Sequence, residues 1–134
     1  MEQIYATQRW LETVEQVSIR TSHELHAGVY ARMVWIPAGV VAVGVKVKVP
    51  TLVMTRGDAA VFDGERWVEL SGDQVLCGAA GRKQIFVTRT DFQITMAFAT
   101  AASDIAAVEA EFTDEVDDLM WRAANGNATQ TTGE

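Results

Sequence analysis

The chain has 134 residues, 49% of them hydrophobic, and a formal net charge of −7. That is enough for one domain with a sizeable core and argues against disorder throughout. No apolar run of about 18 residues occurs, so no membrane-spanning helix is expected, and no basic stripe marks a surface for direct contact with nucleic acid.

The N-terminal MEQIYATQRWLETVEQ is charged and amphipathic, without the basic start and apolar block of a secretory signal. Residence in the cytoplasm of the producing cell is therefore the expectation. Residues 3–20 are predicted to be helix. Ile4, Leu11, Val14 and Val17 fall near one stripe bordered by Trp10, while Glu12, Glu15, Gln16 and Arg20 can face water. Residues 1–22 thus stand apart as an N-terminal amphipathic segment before a β-domain over 23–102.

His23 and His26 occur in SHELH, a spacing that differs from the HExxH zinc motif. They read as a polar lead-in between helix and strands. From residue 28 the period becomes two, with a strand over 28–36 and a turn at Pro37-Ala38-Gly39. In the next segment Val41, Val43, Val45, Val47 and Val49 alternate with Ala42, Gly44, Lys46 and Lys48. The valines are expected to line an interior and the lysines to face outward.

Short strands follow over 52–55, 59–62, 66–70, 74–77, 85–89 and 92–100, separated by turn residues, with Asp63-Gly64 a hairpin signal. Seven or eight strands without intervening helices imply an antiparallel sandwich or barrel. Beyond Thr100 the period turns helical, giving a predicted helix over 103–123 with Ser103 as N-cap and Asp104 in its first turn. Ile105, Val108, Phe112, Val116 and Leu119 or Met120 form its apolar stripe, Trp121 extends it, and the acids occupy the other faces. Residues 104–118 hold seven acids and no basic residue. Residues 124–134 read as a mobile tail.

Candidate chemistry is sparse. The single cysteine, Cys77, lies in the apolar run VLCGAA and reads as a small buried thiol. Lys46 and Lys48 suit solvent, an edge strand or an acidic neighbour. Arg82-Lys83 in GAAGRKQ reads as the basic tip of a turn, with an anion cradle as the other reading. Trp35 and Trp67 are expected in or beside the barrel. Trp10 and Trp121 sit on terminal helices, where aromatics serve either core packing or an interface. Glu24, Tyr30, Arg32 and Cys77 are scattered polar candidates whose faces the pattern leaves open.

The succession GVYARMVWIPAG, GVKVKV, LVMTRGDAAVFDGERWVEL and CGAAGRKQIFVTRTDFQITMAFAT resembles the cupins, and more narrowly the small cupin-like proteins of tailed bacteriophages, over roughly residues 24–120. In those proteins a strand ending in IPAG enters a G-x-V-H-x-H strand. A G-x-x-x-V hairpin, a PAG-x-K/R turn and an acidic D-x-x-x-x-E-x-x-F helix follow. The resemblance implies an all-β fold: an antiparallel jelly-roll barrel with an N-terminal and a C-terminal α-helix. It also aligns the first two metal histidines with Val47 and Val49 and the late histidine with Lys83 to Ile85. Residues around Thr51 to Val53 stand where an acid or amide usually follows. A valine has no lone pair for a metal, so Val45, Val47 and Val49 are expected to fill the former metal site, with no cofactor.

Two functions compete on these grounds. One is a non-enzymatic virion component, such as a capsid cement or decoration protein that bridges capsid subunits. Its partners would be the major capsid protein or other virion proteins, and it would be a homodimer or higher homo-oligomer on the capsid surface. Trp10, Lys46, Lys48, Arg82, Lys83 and Trp121 are its expected interface residues. The other is a metal-free binder or enzyme for small molecules, which a polar-lined cavity would favour. A soluble, non-virion phage protein that binds and modifies a host factor is a third reading, which the sequence does not separate from the first.

Overall fold

The computed structural model describes residues 1–13, 17, 19–118 and 128–132. The elements are α1 (Glu2–Leu11), β1 (Arg20–His26), β2 (Val29–Ile36), β3 (Val41–Val43), β4 (Thr51–Arg56), β5 (Ala59–Phe62), β6 (Trp67–Leu70), β7 (Asp73–Gly78), β8 (Ile85–Thr88), β9 (Phe92–Ala99), α2 (Ile105–Phe112), a 3-10 turn (Val116–Asp118) and β10 (Ala128–Thr132).

The strands form two sheets, ordered β10-β1-β2-β9-β4-β7 and β3-β8-β5-β6. All pairings are antiparallel except β1 with β10, which is parallel. This is an all-β jelly roll with helical segments at both ends. The period-two pattern sets its inner faces. Along β2, Tyr30, Arg32, Val34 and Ile36 are buried while Val29, Ala31, Met33 and Trp35 are more exposed. The register continues that inner face across the six-stranded sheet. One row runs Thr21, Val34, Ile94, Thr55, and the next runs His23, Arg32, Met96, Val53.

Two apolar clusters fill the space between the sheets. One gathers Val34, Ile36, Ala59, Phe92 and Ile94. The other gathers Leu25, Tyr30, Val45, Val47 and Phe98 with Val108 and Phe112 of α2. An aromatic run ties α2 to the sheet: Tyr30 meets Phe98 edge-on at 5.6 Å, and Phe98 stacks on Phe112 at 6.0 Å.

Several expectations are corrected. The first helix ends at Leu11 rather than near residue 20. The Thr13 hydroxyl donates to the Trp10 carbonyl at 2.6 Å, a local side-chain bond that competes with helix continuation. Residues 20–26 form β1 rather than a helix end and a polar lead-in. Ala27 and Gly28, both at positive φ, make the tight β1–β2 turn.

The valine strand is not continuous. Val43 pairs with Ile85, and Val47 next pairs with Arg82, so four residues on one side span three on the other. That extra residue is a β-bulge, which reverses the facing of the chain. Val41 is therefore exposed and Ala42 buried, while Val45 and Val47 face inward.

At the other end, Asp104 caps α2, not Ser103: its carboxylate accepts from the Ala107 amide at 2.8 Å. Asp104→Ala should lower stability by about 1 kcal/mol, whereas Ser103→Ala should leave it unchanged; urea denaturation reads both. Helix α2 stops at Phe112, and Glu109, expected outside with the other acids, is fully buried. The part of the predicted helix over 119–123, with Leu119, Met120 and Trp121, lies outside the described residues. Within the expected mobile tail, residues 128–132 instead add β10 to the sheet edge.

Gly57 closes the β4–β5 turn at φ +114, and a Cβ there would lie 2.5 Å from the Asp91 carbonyl oxygen. Gly57→Ala should cost about 1–3 kcal/mol, measurable as a lowered urea midpoint with unchanged slope.

Candidate functional site: the interior of the jelly roll

The interior holds a cavity with about 50 Å³ open to the centre of a water-sized sphere. One water needs about 10–15 Å³ by this measure, so there is room for a few waters or a small organic molecule. Val34 and Ile36 of β2, Ile94 and Met96 of β9, Val45, Val47, Phe86 and Phe112 make most of the wall. Its polar groups are Arg32, Arg82 and Gln84.

Arg32 is in phase with Tyr30, Val34 and Ile36, so the pleat carries it inside, where it is 2% exposed. Its Nη1 has no hydrogen-bond partner. Arg82 reaches in from the loop before β8. Its Nη2 donates to Thr51 Oγ1 at 2.6 Å and lies 3.6 Å from Met96 Sδ, and its Nη1 donates to the Ala79 carbonyl at 2.9 Å. Burial pushes the Arg82 guanidinium below its ordinary value. Among the described residues neither arginine has a carboxylate within ion-pair distance. Two cations thus flank Met96 in a largely apolar chamber.

Beside the cavity, His23 Nδ1 and the Tyr30 hydroxyl share a 2.5 Å hydrogen bond. Burial pushes the Tyr30 phenol up, and the Arg32 guanidinium partly offsets it. His26 is exposed, so the two histidines do not converge. Val45 and Val47 are buried and Val49 packs against the same cluster when partly buried. Lys83, Gln84 and Ile85 stand where the resemblance aligned the late ligand. Among the described residues no three His, Cys, Asp or Glu side chains cluster to hold a metal. A cupin metal does not fit this lining: among the described residues the cavity wall holds no His, Cys, Asp or Glu, and valine and guanidinium groups offer no lone pair to a cation.

Arg82 and Lys83, read as one basic turn tip, point apart. Lys83 is buried, with Nζ 2.6 Å from Glu115 Oε1 and 4.5 Å from the Tyr5 ring centre. Glu115 also accepts from the Tyr5 hydroxyl at 2.5 Å and from the Lys46 amide at 2.9 Å. Lys48 meets Asp114 at 2.8 Å, so its acidic neighbour lies in its own chain. The Thr113 hydroxyl donates to the Lys46 carbonyl at 2.7 Å and the Lys48 amide to the Phe112 carbonyl at 2.8 Å. Residues 46–48 thus strap α2 over the cavity wall that Phe112 completes.

On the outside, Trp10 is 60% exposed, Trp67 lies on the surface, and Trp35 stacks under Arg20 at 4.4 Å. Cys77 is exposed, not buried. Strand β7 directs Val75 and Cys77 outward opposite Met54 and Leu52 of β4, all on the outer face of the six-stranded sheet. Trp121 lies outside the described residues.

The fold is a cupin-like jelly roll. Solved structures give the same fold. A cupin superfamily protein from Desulfitobacterium hafniense DCB-2 superposes with a TM-score of 0.52 at 13% identity, covering 65% of this chain and 84% of its own. Ectoine synthase from P. lautus gives a TM-score of 0.53 at 12% identity, with 64% and 67% covered. Salicylate 1,2-dioxygenase from Pseudaminobacter salicylatoxidans gives 0.52 at 13%, covering 72% of this chain and 32% of that longer protein. The fold thus houses named enzymes, and at these identities the likeness concerns architecture alone. No protein-family model and no curated protein matches the chain.

Proposed function

We propose that this chain is a metal-free, non-enzymatic cupin-fold receptor that takes a small molecule into the jelly-roll interior. The observation that carries the reading is a largely apolar cavity whose wall includes Arg32 and Arg82, neither of them ion-paired with a carboxylate among the described residues. A buried guanidinium without a counter-charge is costly, and binding sites combine apolar walls with a few placed polar groups in this way. Catalysis is a poorer fit, because Arg and Gln side chains are weak proton carriers at neutral pH. Native mass spectrometry of the full chain after exposure to a small-metabolite mixture tests this. A retained mass increment that disappears on denaturation supports the reading. No increment, and no rise in melting temperature with any compound, overturns it.

A second reading keeps the chain as a virion structural protein, a cement or decoration protein bound to the major capsid protein as a homo-oligomer. The exposed apolar group of Leu52, Met54 and Val75 on the outer sheet face favours an assembly role. Hundreds of copies in purified particles would support it, and absence from particles would remove it.

A further inference from the structure

We infer that the molecule this interior takes is a short-chain monocarboxylate, its carboxylate on the Arg32 guanidinium and its hydrocarbon tail among Ile36, Ile94 and Phe86. The inference rests on the receptor reading and adds the ligand's chemical class.

Charge comes first. Arg32 is 2% exposed, its Nη1 lacks a hydrogen-bond partner, and Arg82, with Nη2 3.6 Å from Met96 Sδ, adds a second positive charge; among the described residues neither has a carboxylate within ion-pair distance. A ligand anion supplies what is missing, and a guanidinium fork matches the two oxygens of a carboxylate. Polarity narrows the class. Arg82 already spends donors on Thr51 and Ala79, and Gln84 is the only other polar side chain in the wall among the described residues. Phosphate or sulfate would bring more oxygens than these donors satisfy, whereas a monocarboxylate has two. The remaining wall is hydrocarbon and sulfur, which suits an alkyl tail. Size sets the length: about 50 Å³ of open space admits a few heavy atoms, far less than a drug-sized ligand needs.

Calorimetric titration of the full chain with acetate, propionate, butyrate, pentanoate and octanoate tests this, with butyramide and 1-butanol as neutral counterparts and inorganic phosphate as control. Affinity should rise about fourfold per added methylene and then fall once the tail overfills the cavity. Butyrate should bind at least tenfold tighter than butyramide or 1-butanol. Arg32→Met should remove that preference while the far-ultraviolet spectrum stays unchanged. If Arg32→Met does not fold, Arg82→Gln should reduce butyrate affinity several-fold, and the wild-type length series and neutral pairs still decide. Equal binding of butyrate and butyramide, or binding of phosphate in preference to butyrate, would overturn the carboxylate assignment and leave the receptor reading intact. Binding of neither charged nor neutral compounds, together with no increment by native mass spectrometry, would remove both.

Discussion

Phe112→Ala is expected to destabilise the protein by about 3–5 kcal/mol, the range for deleting a buried aromatic side chain. Phe112 is 1% exposed, stacks on Phe98, and belongs to the same cluster as Tyr30, Val45 and Val47. It is also the only α2 side chain in the cavity wall among the described residues. Its removal therefore takes away part of the cavity wall and the stacking contact with Phe98 that packs α2 against the sheet. At roughly 3–5 °C per kcal/mol for a chain of this size, the melting midpoint should fall by about 10–20 °C. Phe112→Leu should recover much of the loss by refilling the space. A fall of only a degree or two in Phe112→Ala would mean that α2 does not close the interior.

Glu115→Ala is the second large effect, about 3 kcal/mol at neutral pH, because it leaves the buried Lys83 ammonium without its counter-charge. The pair is asymmetric. The Lys83 side chain is 0% exposed and that of Glu115 20% exposed. Lys83→Met should therefore cost less than Glu115→Ala, since the orphaned carboxylate can turn toward water while the orphaned ammonium cannot.

The pH dependence follows from Glu115 itself. Burial works against its charge, but the bonds from Lys83, Tyr5 and the Lys46 amide outweigh that and hold the carboxyl below its ordinary 4.5. A group depressed on folding contributes its stability above the unfolded value and loses it as pH falls through the folded one. The gap between wild type and Glu115→Ala should thus be constant from pH 7 to about 5.5 and shrink in acid below 4.5. Urea midpoints across that range read it, and a gap that widens in acid would contradict the assignment.

How legible this was in the sequence depends on whether hydrophobicity and facing agreed. Strand β2 was readable because its apolar side chains keep a strict period, and the Asp63-Gly64 hairpin because its turn needs a residue at positive φ, which Gly64 supplies. Strand β1 was not, because two of its three inward positions, Thr21 and His23 beside Leu25, are polar groups that look like surface. The valines misled in a different way: one bulge residue near Gly44 shifts the phase, and valine at every second position hides the slip. Cys77 failed for the same reason, since an apolar run says nothing about which side a strand turns to the core. The expectation of an inward Val45 and Val47 agrees with their burial, but a hydrocarbon-filled interior misses Arg82 and Arg32. Arg32 had a usable signal, its phase with Tyr30, Val34 and Ile36. Arg82 had none, because nothing local tells that Arg82 enters the interior while Lys83 pairs with Glu115.

Methyl-resolved NMR tests the central claim, a metal-free interior that receives a small anion, most directly. Butyrate is predicted to shift the methyl signals of Ile36, Ile94 and Met96, while equimolar paramagnetic manganese leaves them sharp. Broadening of those methyls by manganese, with no response to butyrate, would contradict the account and return the interior to metal chemistry.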